Sequence, residues 1–243
     1  ICGRDVEGNM TAGPAAALSD AIGSGSLRHA LSVGCGGGTK ERALVQAGLV
    51  DRFTLYEISK ERLASARQTF EAAGLSAAAD FRLGDAFEDQ APEQYDLVHW
   101  ASSLHHMLDV DAALQWSRHV LKPGGFIVIY EYIGPTRFQW SDRALDWIET
   151  VRKSLPRDIL ERAARPGKYA RFRPKRVDAE RLRAADPSEA ADSDRIVPSA
   201  LAHFPNGRWT MLGGVIYAAG LREIVGNFER LNRLDLLNAC LLA

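Results

Sequence analysis

Short apolar runs alternate with longer mixed stretches through the first half of the chain. The runs are residues 30–33, 52–58 (RFTLYEI), 81–83, 95–101 (YDLVHWA) and 126–130 (FIVIY). Five strand candidates alternating with helical stretches predict a parallel sheet with helices on both faces. From Thr136 the alternation stops. Ser141 is placed to cap a helix over 142–155, and Pro156 lies where that helix should be ending. Residues 156–200 carry Pro156, Pro166, Pro174, Pro187 and Pro198 among many charges, which predicts loops and short helices. Residues 208–212 (RWTML) read as a sixth strand. Residues 215–243 read mostly as helix broken at Gly220 and Gly226, the alternative being a strand over 215–218. Residues 234–243 have no stop signal, so the expectation is a helix cut short.

The turn after the first strand carries the first chemical signal. Gly34-Cys35-Gly36-Gly37-Gly38 leads into a helix from Thr39. Such a turn lets backbone approach a bulky ligand and aims N–H groups at it. The spacing Gly34-x-Gly36-x-Gly38 is tighter than a dinucleotide fingerprint. Glu57 lies near the end of the second strand, about 20 residues past Gly36, where a nucleotide-binding βαβ unit hydrogen-bonds ribose hydroxyls. Asp85 follows the third strand, and with a neighbouring backbone amide can meet an adenine amine and ring nitrogen.

Composition narrows the class without choosing a ligand. The chain has 243 residues, enough for one large α/β domain with an elaboration. It is 46% hydrophobic and 25% charged with net charge −1, so no global field draws it to nucleic acid or anionic membrane. No apolar run is long enough for a transmembrane helix. Cys2, Cys35 and Cys240 are few and widely spaced, which suits free thiols in a reducing cytoplasm. The sequence starts at Ile1, so a preceding stretch could carry a signal.

The ordered series VGCGGGT, YEIS, GDAF, YDLVHWASSLHH and LKPGGFIVIYEY resembles the class I S-adenosylmethionine-dependent methyltransferases over roughly residues 27–135. The segments 131–135 with 137–140, and 186–190, resemble a bacterial small-molecule subgroup of that family. The resemblance implies a Rossmann-like, doubly wound, mostly parallel α/β sheet with a helical and loop cap inserted after the fifth strand. The implied organisation is a leader over 1–26 with a helix near 15–22, a core over 27–135, a cap over 136–200, and a sheet edge with helix over 201–243. That family closes its sheet with an antiparallel strand, which is not legible here. The cofactor implied is S-adenosyl-L-methionine, leaving as S-adenosyl-L-homocysteine. Its implied contacts are Gly34, Cys35, Gly36, Gly38, Glu57, Ile58, Asp85, Ala86, Phe87 and Ala101.

Methyl transfer from a sulfonium asks mainly for alignment and exclusion of water. A base is needed only for a protonated nucleophile, and the candidates are His105 and His106, just past the fourth strand. Tyr132, with Glu131, ends the fifth strand at the same rim and is a candidate to line or bond the acceptor. Trp100, Phe138 and Trp140 are either an aromatic wall or core. A basic run from Arg165 to Arg183 is either a clamp for an anionic acceptor or a solvated surface. No paired carboxylates are evident, so no metal is expected. The expected function is therefore methylation of an oxygen or nitrogen on a small molecule, by a cytoplasmic protein that uses neither nucleic acid nor membrane as partner. An incomplete sheet edge would invite a homodimer. The alternatives are a non-catalytic cofactor-binding protein and a nicotinamide oxidoreductase, the latter poorly matched by the glycine spacing.

Overall fold

A computed structural model describes residues 12–162, 165–211 and 214–242. Residues 1–11 of the expected leader, with Cys2, lie outside these, as do Leu212 and Ala243. Five strands form one parallel sheet: β1 (Ala30–Val33), β2 (Phe53–Glu57), β3 (Ala79–Leu83), β4 (Tyr95–Ala101) and β5 (Leu121–Tyr130). Their order is β3-β2-β1-β4-β5. The chain starts at the centre, runs out to β3 and returns to β4 on the other side of β1. The order reverses between β1 and β4, and open α/β sheets bind ligands beyond the C-terminal strand ends at such a point.

Side-chain alternation explains why both faces are covered. Leu31 and Val33 of β1 and Val98 and Trp100 of β4 face one core with Leu114 and Trp116. Ala30 and Leu97 face the other, with Phe53 and Leu55 of β2. Four helices lie between the strands or before them: α1 (Ala12–Ile22), α2 (Thr39–Gln46), α3 (Lys60–Ala72) and α4 (Val110–Val120). Leu18, Leu44 and Phe70 bring α1, α2 and α3 onto the second face, whereas α4 covers the first. Start signals are local: Ser59 Oγ accepts from Arg62 N at 3.2 Å, and Asp109 Oδ1 from Ala112 N at 2.9 Å.

The described residues divide into two compact units, one of residues 12–136 with 186–207, the other of 137–185 with 208–242. The stretch expected to form a single cap is thus shared between them. In the sheet-bearing unit, α7 (Ile196–His203) places Ile196 and Ala200, one helical turn apart, in the core beside α4.

The other unit is helical. It contains α5 (Asp142–Ser154), α6 (Ala179–Ala185), α8 (Val225–Arg230) and α9 (Leu234–Leu242), with a π-helical segment at Ile216–Leu221. Ser141 caps α5, its Oγ accepting from Ala144 N at 3.2 Å. The core of this unit is Val151, Leu155, Ile159, Leu160, Leu221, Ile224 and Phe228. Arg152 is buried within it. Its Nε donates to Gly220 O at 2.8 Å, Nη1 to Arg171 O at 2.6 Å and Nη2 to Glu223 Oε1 at 3.0 Å.

Two expectations are corrected here. Residues 208–211 form no strand, because Trp209 and Met211, the alternating pair that would bury one face, are both exposed. Nor is 215–218 a strand, since Ile216–Leu221 is π-helical, with Arg222 N donating to Tyr217 O at 3.1 Å. Among the described residues the sheet ends at β5. No helix among them is long and apolar enough to cross a membrane.

Candidate functional site

The glycine turn caps the C-terminal end of β1 at the switch point. Gly34, Gly36 and Gly38 have φ of +65°, +56° and +68°, the left-handed region that L side chains rarely adopt. Neighbours add a second constraint at Gly34, where a Cβ would stand 2.8 Å from Ser103 Cβ. At Gly36 a Cβ would meet nothing within 4 Å, so that glycine borders open space.

Four of the turn's five amides, those of Gly34, Cys35, Gly36 and Gly38, bond inside the protein, although its composition suggests that they face outward. Gly34 N and Cys35 N both donate to Tyr56 O, at 2.9 and 3.1 Å, and Gly38 N donates to Cys35 O at 3.0 Å. Gly36 N donates to Glu57 Oε2 at 2.8 Å, while Glu57 Oε1 accepts from Ser59 N at 3.0 Å. Glu57 is only 6% exposed, and each oxygen retains a second lone pair for a ligand hydroxyl. What the turn offers a ligand is therefore space, carbonyl oxygens and the Glu57 carboxylate.

Beside it, Ile58 is 81% exposed and Leu83 56% exposed at the ends of β2 and β3. Two large apolar side chains at one rim suit the face of a planar ring. Asp85 is exposed, and its Oδ1 accepts from Phe87 N at 3.0 Å, capping a short 3-10 turn at Ala86–Glu88. The Phe87 ring is partly buried, edge-on to Trp116 at 4.8 Å and packed against the core beside α4. Ser103 Oγ, buried next to Gly34, has no hydrogen-bond partner in the structure. An empty cradle at Gly36, an unmet polar atom at Gly34 and exposed apolar and acidic groups beyond β2 and β3 together fit an adenosine-bearing cofactor.

Underneath lies a network that sequence reasoning only touched. Ser32 and His99 are register partners on β1 and β4. Ser32 Oγ donates to Glu41 Oε1 at 2.8 Å, and His99 Nδ1 lies 2.9 Å from the same oxygen, all three residues being buried. Burial pushes the Glu41 carboxyl up, but the His99 contact outweighs it and holds the pKa below the usual 4.5. Lys40 was missed altogether. Its Nζ donates to Ala101 O at 2.8 Å and to Ser102 Oγ at 3.0 Å, tying the start of α2 to the end of β4. Ala101 thus meets the site through its carbonyl. Cys35 is a free thiol, its pKa raised by burial and by the charges of Glu41 and Glu57.

The three catalytic candidates converge beyond β4 and β5. His105 and His106 lie on a short 3-10 turn at Leu104–His106, their ring centroids 4.3 Å apart. Glu131 is the hub beneath them. Its Oε1 accepts from Ser103 N and from Leu104 N, the latter at 2.5 Å; its Oε2 accepts from Tyr132 N at 3.1 Å and faces His105 Nδ1 at 2.5 Å. Glu131 therefore organises the turn rather than reaching for an acceptor. Tyr132 donates its hydroxyl to Pro135 O at 3.0 Å, and burial, with the charges of Asp194 and Glu189, raises its pKa. Its phenol is a donor, not a base. A Cβ at Gly134 would overlap the Tyr132 hydroxyl and ring.

Glu189 completes the group. His105, His106 and Glu189 bring one potential ligating atom each within 4.8 Å of one another, a grouping that the expectation of no paired carboxylates did not consider. That expectation rested on counting carboxylates near the strand ends, and Glu189 is remote in sequence. Part of the basic run is paired within its own unit. Arg173 bonds Asp142 and Asp146, and Arg176 bonds Asp142 and Trp140 O.

A family model described as a methyltransferase domain matches residues 31–127. A ubiquinone biosynthesis O-methyltransferase from Methylococcus capsulatus is 31% identical over 100 residues, 41% of this chain and 41% of that protein. Fumosorinone synthetase from Cordyceps fumosorosea is 32% identical over 114 residues, 43% of this chain but 3% of that protein. The chain thus spans less than half the length of both relatives. Among solved structures, a methyltransferase from Geobacter sulfurreducens in complex with S-adenosyl-L-homocysteine is 18% identical with a TM-score of 0.42, covering 56% of this chain and 53% of that one.

Proposed function

We propose that this chain, whose residues 31–127 form a class I S-adenosylmethionine-dependent methyltransferase domain, methylates an oxygen or nitrogen of a small molecule. The observation that carries the proposal is the gathering of Gly36, Glu57, Ile58 and Asp85 on one rim of the parallel sheet, at its switch point, inside the matched segment. S-adenosylmethionine, when bound, supplies a methyl carbon made electrophilic by its sulfonium. Glu57 would hold the ribose hydroxyls, Ile58 the adenine face and Asp85 the adenine edge, with Gly36 leaving room for the chain between. The acceptor belongs at the adjacent rim, where β4 and β5 end at His105, His106 and Tyr132. His105 and His106 take the acceptor's proton at Nε2, because their Nδ1 atoms face Glu131 and Ser188. The likeness to an O-methyltransferase favours oxygen over nitrogen.

The test is transfer of labelled methyl from S-adenosylmethionine to a panel of phenols, enols, alcohols and amines. Turnover should appear with at least one oxygen acceptor, and Glu57→Ala should abolish cofactor binding measured by calorimetry. A wild-type chain that fails to bind S-adenosylmethionine sinks the proposal. One that binds it, but methylates nothing in the panel or in cell extract, leaves a binding protein instead.

A further inference from the structure

We infer that Lys40 is the receptor for the carboxylate at the methionine end of S-adenosylmethionine, a role that rests on the proposed function and extends it to the cofactor's far end. Lys40 Nζ donates to Ala101 O at 2.8 Å and to Ser102 Oγ at 3.0 Å, and stands 5.6 Å from the centroid of the Tyr130 ring. All these partners are neutral. The two acids whose charge reaches Lys40 are Glu41 and Glu131, and both are committed elsewhere. Glu41 is held by Ser32 and His99, and Glu131 by the amides of Ser103, Leu104 and Tyr132 and by the His105 ring. Among the described residues Lys40 forms no ion pair. Burial lowers its pKa, as it does for a cation drawn out of water without a counter-charge. An exposed lysine would turn to water instead, so an ammonium kept half-buried among neutral groups is suited to an anion brought by a ligand.

The order of the strands says which anion. Leu83 ends β3, Glu57 ends β2, Gly36 follows β1 and Ala101 ends β4, and the strands are neighbours in the order β3-β2-β1-β4. Adenine beside β3 and β2, with ribose at Glu57, takes up one end of that row. The space at Gly36 comes next, and the end of β4 is left for whatever lies beyond the sulfur. In S-adenosylmethionine that part is an amino acid, and its carboxylate is the one anionic group the cofactor carries. Lys40 stands at that end of the row, bonded to the last carbonyl of β4.

Two neighbours of the ammonium point the same way. Ser102 has a φ of +63°, a left-handed conformation costly for a residue with a side chain, and its amide donates to Tyr130 O at 2.9 Å. Strain of this kind collects at ligand clamps. Ser103, the next residue, buries a hydroxyl that has no hydrogen-bond partner in the structure, beside Gly34. An ammonium has three N–H donors, of which Lys40 spends two on Ala101 and Ser102. The turn after β4 thus presents an unneutralised cation and an unused hydroxyl together, and a carboxylate with two acceptor oxygens is the chemistry that answers both.

The experiment is calorimetry on the full chain with two ligands, S-adenosyl-L-homocysteine and its decarboxylated form, which lacks only the carboxylate. The wild type should bind the first about 10–100-fold more tightly, the range of a hydrogen bond to a charged group. Lys40→Met should bring the two ligands within about three-fold of each other, while holding the decarboxylated ligand as well as the wild type does. Lys40→Gln, which keeps an N–H donor without the charge, should behave alike, and circular dichroism melting establishes that each variant is folded. A carboxylate preference that survives in both variants overturns the inference. So does an equal loss for the two ligands, because that is the signature of a displaced β4 end rather than of a lost ion pair. A wild type that binds the two ligands equally well removes the role of Lys40 and leaves the proposed function standing, whereas one that binds neither overturns both.

Discussion

Replacing Gly34 by alanine separates two costs that a glycine-rich turn usually merges. At Gly34, Gly36 and Gly38 a side chain must enter the left-handed region, which costs roughly 1–2 kcal/mol per residue. Part of that is offset, because alanine stiffens the unfolded chain by about 0.4–1 kcal/mol. Gly36→Ala should therefore destabilise by about 1 kcal/mol, its Cβ meeting nothing within 4 Å. Gly34→Ala carries the same backbone cost plus an overlap, with Ser103 Cβ only 2.8 Å away. Carbon atoms pack at about 3.5–4.0 Å, so something must retreat by roughly 0.7 Å. Ser103 cannot do so easily, because its amide is bonded to Glu131. Overpacking of this kind costs about 1–3 kcal/mol, giving a total near 3 kcal/mol and a fall in Tm of roughly 6–12 °C. The assay is urea and thermal denaturation of Gly34→Ala, Gly36→Ala and the double variant Gly34→Ala with Ser103→Gly. The double variant should recover the steric part. Equal destabilisation by the two alanines, or no rescue by Ser103→Gly, refutes the reasoning. Calorimetry should show the opposite ranking for S-adenosylmethionine, with Gly36→Ala losing about ten-fold or more in affinity because its methyl enters the cradle.

Three further outcomes follow from the same contacts. The Glu41 pKa is held below 4.5, so the stability it contributes is present above that pH and lost as pH falls through its folded value. Urea midpoints measured from about pH 6 to about pH 3 should drop steeply for the wild type and less for Glu41→Gln; parallel curves would dismiss the Glu41–His99 pair as the cause. Arg152→Ala strands the Gly220 and Arg171 carbonyls and one Glu223 oxygen, and should destabilise the helical unit by about 3 kcal/mol, read as faster proteolysis within α8 and α9; unchanged cleavage argues that the fork is dispensable. Burial and two nearby carboxylates raise the Cys35 thiol pKa, so iodoacetamide at neutral pH should leave Cys35 unmodified while labelling it in denaturant; rapid native labelling would contradict that.

The cofactor half of the molecule is legible in the sequence because its signals are local. β1, β2 and β4 are buried runs of four to seven residues, Glu57 is the last residue of β2, and Asp85 follows β3 by two residues. β5 is longer than its apolar run. The apolar run begins at Phe126, after Lys122-Pro123-Gly124-Gly125, yet the strand starts at Leu121, which pairs with Tyr95 before a register shift. Lys122 is held there by Asp96 at 2.8 Å, an ion pair no periodicity reveals. The direction of the turn's amides was equally hidden, since Tyr56 and Glu57 absorb them from the next strand. His105 and His106 were visible as a pair, but their partners come from β5 and from a loop 82 residues downstream. The fate of 208–211 depended on tertiary burial, and Trp209 and Met211 alternate as a strand would without gaining a buried face.

Glu131 has a kinetic meaning as well as a static one. The turn that follows β4 is held by a carboxylate 26 to 28 residues later, and His106 is held by a serine 82 residues later. Closing loops of growing length costs entropy that only the final contacts repay. The glycine turn and Glu57, 21 residues apart, are therefore placed to order early, whereas the His105–His106–Glu189 group waits for β5 to dock and for the Asp186 turn to arrive. During folding, the contact between Gly36 and Glu57 would form before those that hold the His105–His106 turn.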